Sequence, residues 1–211
     1  MARNGKRGGA FTVKQAEKID PQSAVVHLSM HTHFFAREGG WEPDDYLCDI
    51  AGHIEYIHDD ESKGERKIGE IEGHFINVDA VHRAGERLFD VFDARSQEAH
   101  EYFSAIFDVH GNWTDVVLNA VDMLPSNLLV LHLMRIRTAY RGQGIGLAVM
   151  KAILHAAFIP SNTFVLILPY ATGHEHGSKA YLEGTRKLRA YWRRAGFKRL
   201  RGTEHYFTYI P

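Results

Sequence analysis

Apolar and polar residues alternate along the first third of the chain and recur every three or four positions in several later stretches, so both strands and helices are expected. Ala24 to Met30, with Val25, Val26 and Leu28, reads as an edge or first strand. Thr32 to Asp45 is loop-rich, and its Phe34, Phe35 and Trp41 are available to fill a core or to line a cleft. Tyr46 to His58 reads as a strand, Asp59 to Glu65 as a polar turn and Lys67 to His82 as a second, longer strand, which together make a hairpin. Period-two alternation sets Ile68, Glu70 and Glu72 against Gly69, Ile71, Gly73 and Phe75, so the two glutamates share a face. They are candidates for a general base, or simply for a solvated strand face.

Farther on the period changes. Leu88, Val91, Phe92, Ala99, Tyr102, Phe103, Ile106 and Phe107 fall at helical spacings between Glu86 and Phe107, and the interruption at Asp93 to Ser96 allows one helix or two. Thr114 to Met123 fits either strand or helix, and Pro125-Ser126-Asn127 closes it as a turn. Leu128 to Arg137 is a nearly continuous apolar run, as in a central strand buried on both faces. A glycine-rich loop and a helix over Leu147 to Ala157 follow, then a buried strand, Phe164 to Leu168, stopped by Pro169: a β-α-β unit. Ser178 to Ala195 reads as a helix anchored by Leu182, Leu188, Tyr191 and Trp192 with Gly196 at its C-terminal end, and Phe207 to Ile210 as a last strand. The order predicts an α/β protein with a mixed sheet of the α+β kind.

Composition narrows the classes. A chain of 211 residues with 45% hydrophobic and 24% charged residues can bury one substantial core, and residues 21–211 read as one domain with a helical insertion around 86–107. Residues 1–20 read as a flexible basic tail without the apolar stretch of a signal peptide, and no run is long enough to span a membrane. A net charge of -1 argues against nucleic acid as a partner, although Arg186, Lys187, Arg189, Arg193, Arg194, Lys198, Arg199 and Arg201 form a local basic run. The single cysteine, Cys48, rules out an internal disulfide and points to the cytoplasm. Fourteen histidines include the pairs His31/His33 and His174/His176, but neither has a neighbouring cysteine, and no metal is expected.

The segment richest in chemistry is Arg137-Thr138-Ala139-Tyr140-Arg141-Gly142-Gln143-Gly144-Ile145-Gly146. A strand running through glycines into a helix aims consecutive backbone amides at one anion, with the positive end of the helix behind them. No Gly-Lys-Ser/Thr closes the loop, and the even spacing of Gly142, Gly144 and Gly146 does not fit a dinucleotide fingerprint. Arg141-Gly142-Gln143-Gly144-Ile145-Gly146 resembles the acyl-CoA signature Arg/Gln-x-x-Gly-x-Gly/Ala of the GNAT superfamily of N-acetyltransferases. Thr138-Ala139-Tyr140-Arg141 is similar to that family's lead-in, with Thr138 where proline is usual. Leu188 to Phe197 resembles its second signature, an aromatic-bearing helix ending in Gly-Phe.

The resemblance covers roughly Leu128 to Ile210 and implies a mostly antiparallel sheet in which the fourth and fifth strands are parallel and splay apart. It implies that the backbone of Met134 and Ile136 pairs with the pantetheine of acetyl-CoA, and that Arg141, Gly142, Gln143, Gly144, Ile145 and Gly146 cradle the pyrophosphate. It further implies direct acetyl transfer to a small-molecule or peptide amine, and it allows a homodimer. Where many members carry a glutamate on the fourth strand this chain has His132, whose ordinary pKa of about 6.5 suits a general base. Glu70, Glu72 or Asp122, acting directly or through water, and catalysis without a dedicated base are the alternatives. The family's acid tyrosine matches Trp192, which cannot serve, so Tyr191 is the candidate acid. Other readings are an acyl-CoA-binding sensor or interaction module, a nucleic-acid binder, and a protein like the toxins that acetylate aminoacyl-tRNA.

Overall fold

The computed structural model describes residues 24–32, 46–56, 66–93, 97–156, 159–171 and 173–211. The basic tail and the loop carrying Phe34, Phe35, Trp41 and His33 lie outside the described residues. Among the described residues seven strands form one sheet: β1 (Ala24–Thr32), β2 (Leu47–Tyr56), β3 (Arg66–Asn77), β4 (Asn127–Ile136), β5 (Thr163–Ile167), β6 (Lys198–Arg199) and β7 (Tyr206–Ile210). Their order across the sheet is β1-β2-β3-β4-β5-β7-β6, and among them only β4 and β5 run parallel. The helices are α1 (Val78–Ala84), α2 (Leu88–Asp93), α3 (Gln97–Ile106), α4 (Asp115–Leu118), α5 (Ile145–Leu154) and α6 (Lys179–Arg194).

Alternation along the strands builds two cores. Ile50, Ile54, Ile71, Phe75, Leu129 and Leu131 face α5 and α6, meeting Ile145, Val149, Met150, Ile153 and Trp192. Ile76, Leu128, Val130, Phe164, Leu166 and Phe207 face the other way and are covered by α1 to α4. Each such side chain contributes roughly 1.5 to 3 kcal/mol through burial. The second layer is pinned where the Trp113 indole N–H donates to the Pro125 carbonyl at 2.9 Å.

Three expectations change. β3 stops at Asn77 rather than running to His82, because the Asn77 side chain accepts from the Ala80 N–H at 2.8 Å and caps α1, whose Val78 and Val81 face the core. Helical structure therefore starts at Val78 and extends to Leu118, beyond the span 86–107 on both sides, and the ambiguous stretch Thr114 to Met123 contains the one-turn α4. β4 is buried on both faces only as far as Leu131, and from His132 to Ile136 its residues are half-buried or exposed. The reason is that β5 ends at Ile167 while β4 continues.

β4 is also irregular. Gly73 pairs with Leu131 and Glu72 with Leu133, so His132 is an extra residue, a β-bulge. The bulge falls where β4 loses β5.

Candidate functional site

The parallel pairing runs from Asn127↔Thr163 to Leu131↔Ile167 and ends there. Beyond it, β4 and residues 168–171 part to form the walls of a cleft of about 730 Å³. The second wall is fixed to α6, since the Ala171 N–H donates to Thr185 Oγ1 at 3.1 Å in a buried contact. Along β4, the Arg137 N–H is spent on the Ile68 carbonyl of β3 at 2.8 Å. Backbone groups alternate sides in a strand, so the N–H and C=O of Met134 and Ile136 point to the other edge, into the cleft. Among the described residues no strand pairs with Met134 or Ile136 on that edge. The Ile136 carbonyl accepts from Arg141 Nε at 2.7 Å, which folds the arginine back toward the strand.

The base of the cleft is the loop entering α5. Thr138–Tyr140 form a turn of 3-10 helix, and Tyr140 buries its ring while its hydroxyl accepts from Arg66 at 3.2 Å. Gly142 and Gly144 have φ of 78° and 82°, values that a side-chain-bearing residue rarely adopts. Gly144 stands at the N-cap position of α5, where no side chain caps the helix. The amides of the first turn and the positive end of α5 therefore face the loop, an arrangement suited to phosphate. Arg141, Gly142, Gly144, Ile145 and Gly146 all line the cleft, and Gln143 lies between them in sequence, half-buried.

α6 supplies the facing side. Its Ser178 accepts from the Tyr181 N–H at 3.2 Å, and its Trp192 is buried against Phe197 with ring centroids 5.6 Å apart. Trp192 is thus core packing at the cleft floor. Tyr191 is the residue that reaches in: its hydroxyl lies against Gly146 at the first turn of α5, 2.6 Å from where a Cβ on that glycine would stand. Burial pushes its phenol above the ordinary tyrosine value, partly offset by the nearby Leu147 amide and the Arg194 charge, so it is protonated at neutral pH.

On the sheet face away from α5, three strands bring polar groups together at the bulge. The His132 ring lies 4.9 Å from that of His74, and its Nε2 is 3.7 Å from a Glu72 carboxylate oxygen. His74 Nδ1 in turn is 2.9 Å from Asp49 Oδ1. His132 also lines the cleft. Glu70 shares the Glu72 face but is ion-paired to Arg135, which opposes it across the strands.

His132, Tyr191, Met134, Ile136 and the Arg141 to Gly146 loop thus converge on one cleft. Glu72 reaches it only through His132, and Asp122 does not line it: Asp122 acts on Tyr209, which pairs with Phe164 at the far end of β5. Five residues of the basic run near the C-terminus have partners within the chain. Arg189 and Arg199 share Glu204, Lys187 pairs with Glu183 at 2.8 Å, Arg193 donates to the Tyr206 hydroxyl, and Arg194 lies over the Tyr191 ring. Sequence reasoning missed Asp49 and His74, which are far from the glycine loop in the chain and meet His132 only through strand register. Cys48 is half-buried, and burial with the neighbouring Asp49 charge pushes its thiol up, away from nucleophilic reactivity.

Compared with known proteins, the chain matches no family model and no curated protein.

Proposed function

We propose that the protein is an N-acetyltransferase of the GNAT type, moving an acetyl group from acetyl-CoA to a primary amine by direct attack. The observation that carries this reading is the parting of the sheet's parallel pair after Leu131 and Ile167, immediately above the uncapped N-terminus of α5. An anion at those amides and an extended arm along the edge of Met134 and Ile136, where no described strand pairs, would both be satisfied by coenzyme A, as the similarity of Arg141 to Gly146 to the family's signature implies.

In this reading the amine approaches on the His132 face and the thioester lies in the opening. His132 accepts the proton of the attacking amine, with Glu72 beside it and His74, held by Asp49, packed on its ring. As the tetrahedral intermediate collapses, the C–S bond breaks and Tyr191 gives its proton to the departing thiolate. The raised phenol keeps that proton until it is needed. Glu70 is left to its ion pair with Arg135, and Cys48 takes no part.

Thermal unfolding of the purified chain with acetyl-CoA, free CoA and ATP tests the reading. Ligand at a hundredfold excess over its dissociation constant adds roughly 2.7 kcal/mol of stability. A shift with both CoA species and none with ATP, followed by acetylation of amines in a screen, is the expected result. No shift with either CoA species would overturn it.

A further inference from the structure

We propose that the protein carries a binding site for a first-row divalent metal ion at the edge of its sheet, built by His27 of β1 and His53 and Glu55 of β2. The site is separate from the cleft, and it goes beyond the acetyltransferase reading without depending on it.

Strand register brings the three together. His27 and His53 are direct partners across the antiparallel β1–β2 pair, and Glu55 follows His53 by two residues, which returns it to the same face. The imidazole rings lie nearly parallel, 13° apart with centroids separated by 4.9 Å. His27 Nε2 is 3.2 Å from one oxygen of Glu55, and His53 Nε2 is 2.9 Å from the other. The three potential donor atoms all lie within 4.8 Å of one another.

Those separations have a chemical meaning. Around an ion with bonds of about 2.0 to 2.2 Å, tetrahedral or octahedral, neighbouring ligand atoms stand about 2.8 to 3.5 Å apart. The two Glu55 contacts already have that spacing, one to each carboxylate oxygen, and the two histidine nitrogens lie within 4.8 Å of each other, so an ion would draw the histidines together. Two imidazoles with one carboxylate suit zinc, cobalt, nickel or copper and disfavour calcium and magnesium, which prefer oxygen. The histidine side chains are 50% and 40% exposed and Glu55 16%, so the carboxylate forms a seated base and the remaining coordination positions open to water. An ion held there would bridge β1 to β2 and fasten the edge strand.

No spacing along the chain announces this site, because residue 27 is brought to 53 and 55 by sheet pairing. The His-x-His pairs that do stand out are different: His176 packs on the Tyr181 ring at 4.6 Å, His174 is exposed, and His33 lies outside the described residues.

Untagged full-length protein, stripped with chelator and dialysed, is titrated with Zn²⁺ by calorimetry and with Co²⁺ by visible absorption, alongside His53→Ala, the near-isosteric Glu55→Gln and, as a control, His174→Ala/His176→Ala. Circular dichroism checks that each variant is folded. One equivalent bound in the micromolar range, weakened at least tenfold in Glu55→Gln, lost in His53→Ala and retained in the control, is the expected result. Absence of binding tighter than about millimolar, or binding that survives both site substitutions, would overturn the proposal and leave Glu55 as a hydrogen-bond acceptor between two histidines.

Discussion

The hydroxyl of Tyr191 occupies the space that a side chain on Gly146 would need: a Cβ built there meets the oxygen at 2.6 Å and Met134 Cε at 3.3 Å. Helix α5 and helix α6 are thereby fitted to one another at the point where the cleft narrows. Replacing Gly146 with alanine should cost about 1 to 3 kcal/mol by overpacking, despite alanine's better helix propensity. Tyr191→Phe removes the obstructing oxygen, so the double variant should recover part of that loss. Urea unfolding of the wild type, both single variants and the double variant measures the coupling, expected between about 0.5 and 3 kcal/mol; additive penalties would show that the contact is not felt.

His132→Gln keeps a polar group at the bulge but cannot accept a proton. If His132 is the base, kcat should fall about 10²- to 10⁴-fold while acetyl-CoA binding stays within a few-fold of wild type. Steady-state kinetics with the best amine, paired with a CoA titration, reads both quantities, and an unchanged kcat assigns His132 to structure alone.

Tyr191 also predicts an alkaline signature. Its phenol is raised in the folded state, chiefly by burial, so at high pH the native protein holds a proton that the unfolded chain has released. The stabilisation is complete below the ordinary tyrosine value of about 10 and is lost as pH climbs through the raised folded value. Tyr191→Phe should therefore lose less stability than wild type between pH 9 and pH 11, as denaturant midpoints across that range would show; parallel curves would contradict the burial argument.

Cys48 should be a slow thiol. Desolvation and the adjacent Asp49 both disfavour the thiolate, so alkylation by iodoacetamide at neutral pH should lag behind that of a free cysteine. In the proposed acetyl transfer Cys48→Ser should keep turnover, since direct transfer uses no enzyme thiol. Rapid labelling together with loss of turnover would reverse this assignment.

The legible parts of the sequence were those whose signal is local. The apolar run from Leu128, the glycine loop and the amphipathic α6 each declare themselves within a few residues, and from them the parallel pair follows, while the opening beyond it was implied only by the family resemblance. Where β3 ends was not legible, because Phe75, Ile76, Val78 and Val81 suit either period and the decision rests on a capping bond from Asn77 to Ala80. The bulge at His132 was hidden as well: a one-residue slip between Glu72 and Gly73 leaves no mark in composition, yet it helps bring His132 to His74. The same holds for His74 with Asp49 and for His27 with His53, pairs made by register alone.

The helical block α1 to α4 leaves the sheet after Asn77 and returns at Asn127, and these two asparagines are paired neighbours in the β3–β4 ladder. A segment whose ends meet could in principle be cut out and replaced by a tight turn. Here the excision would bare Leu128, Val130, Phe164, Leu166 and Phe207, which pack against the block. A shortened chain would carry an adhesive apolar face and should aggregate. The block behaves as a graft grown into its host, portable by its topology and irremovable by its packing.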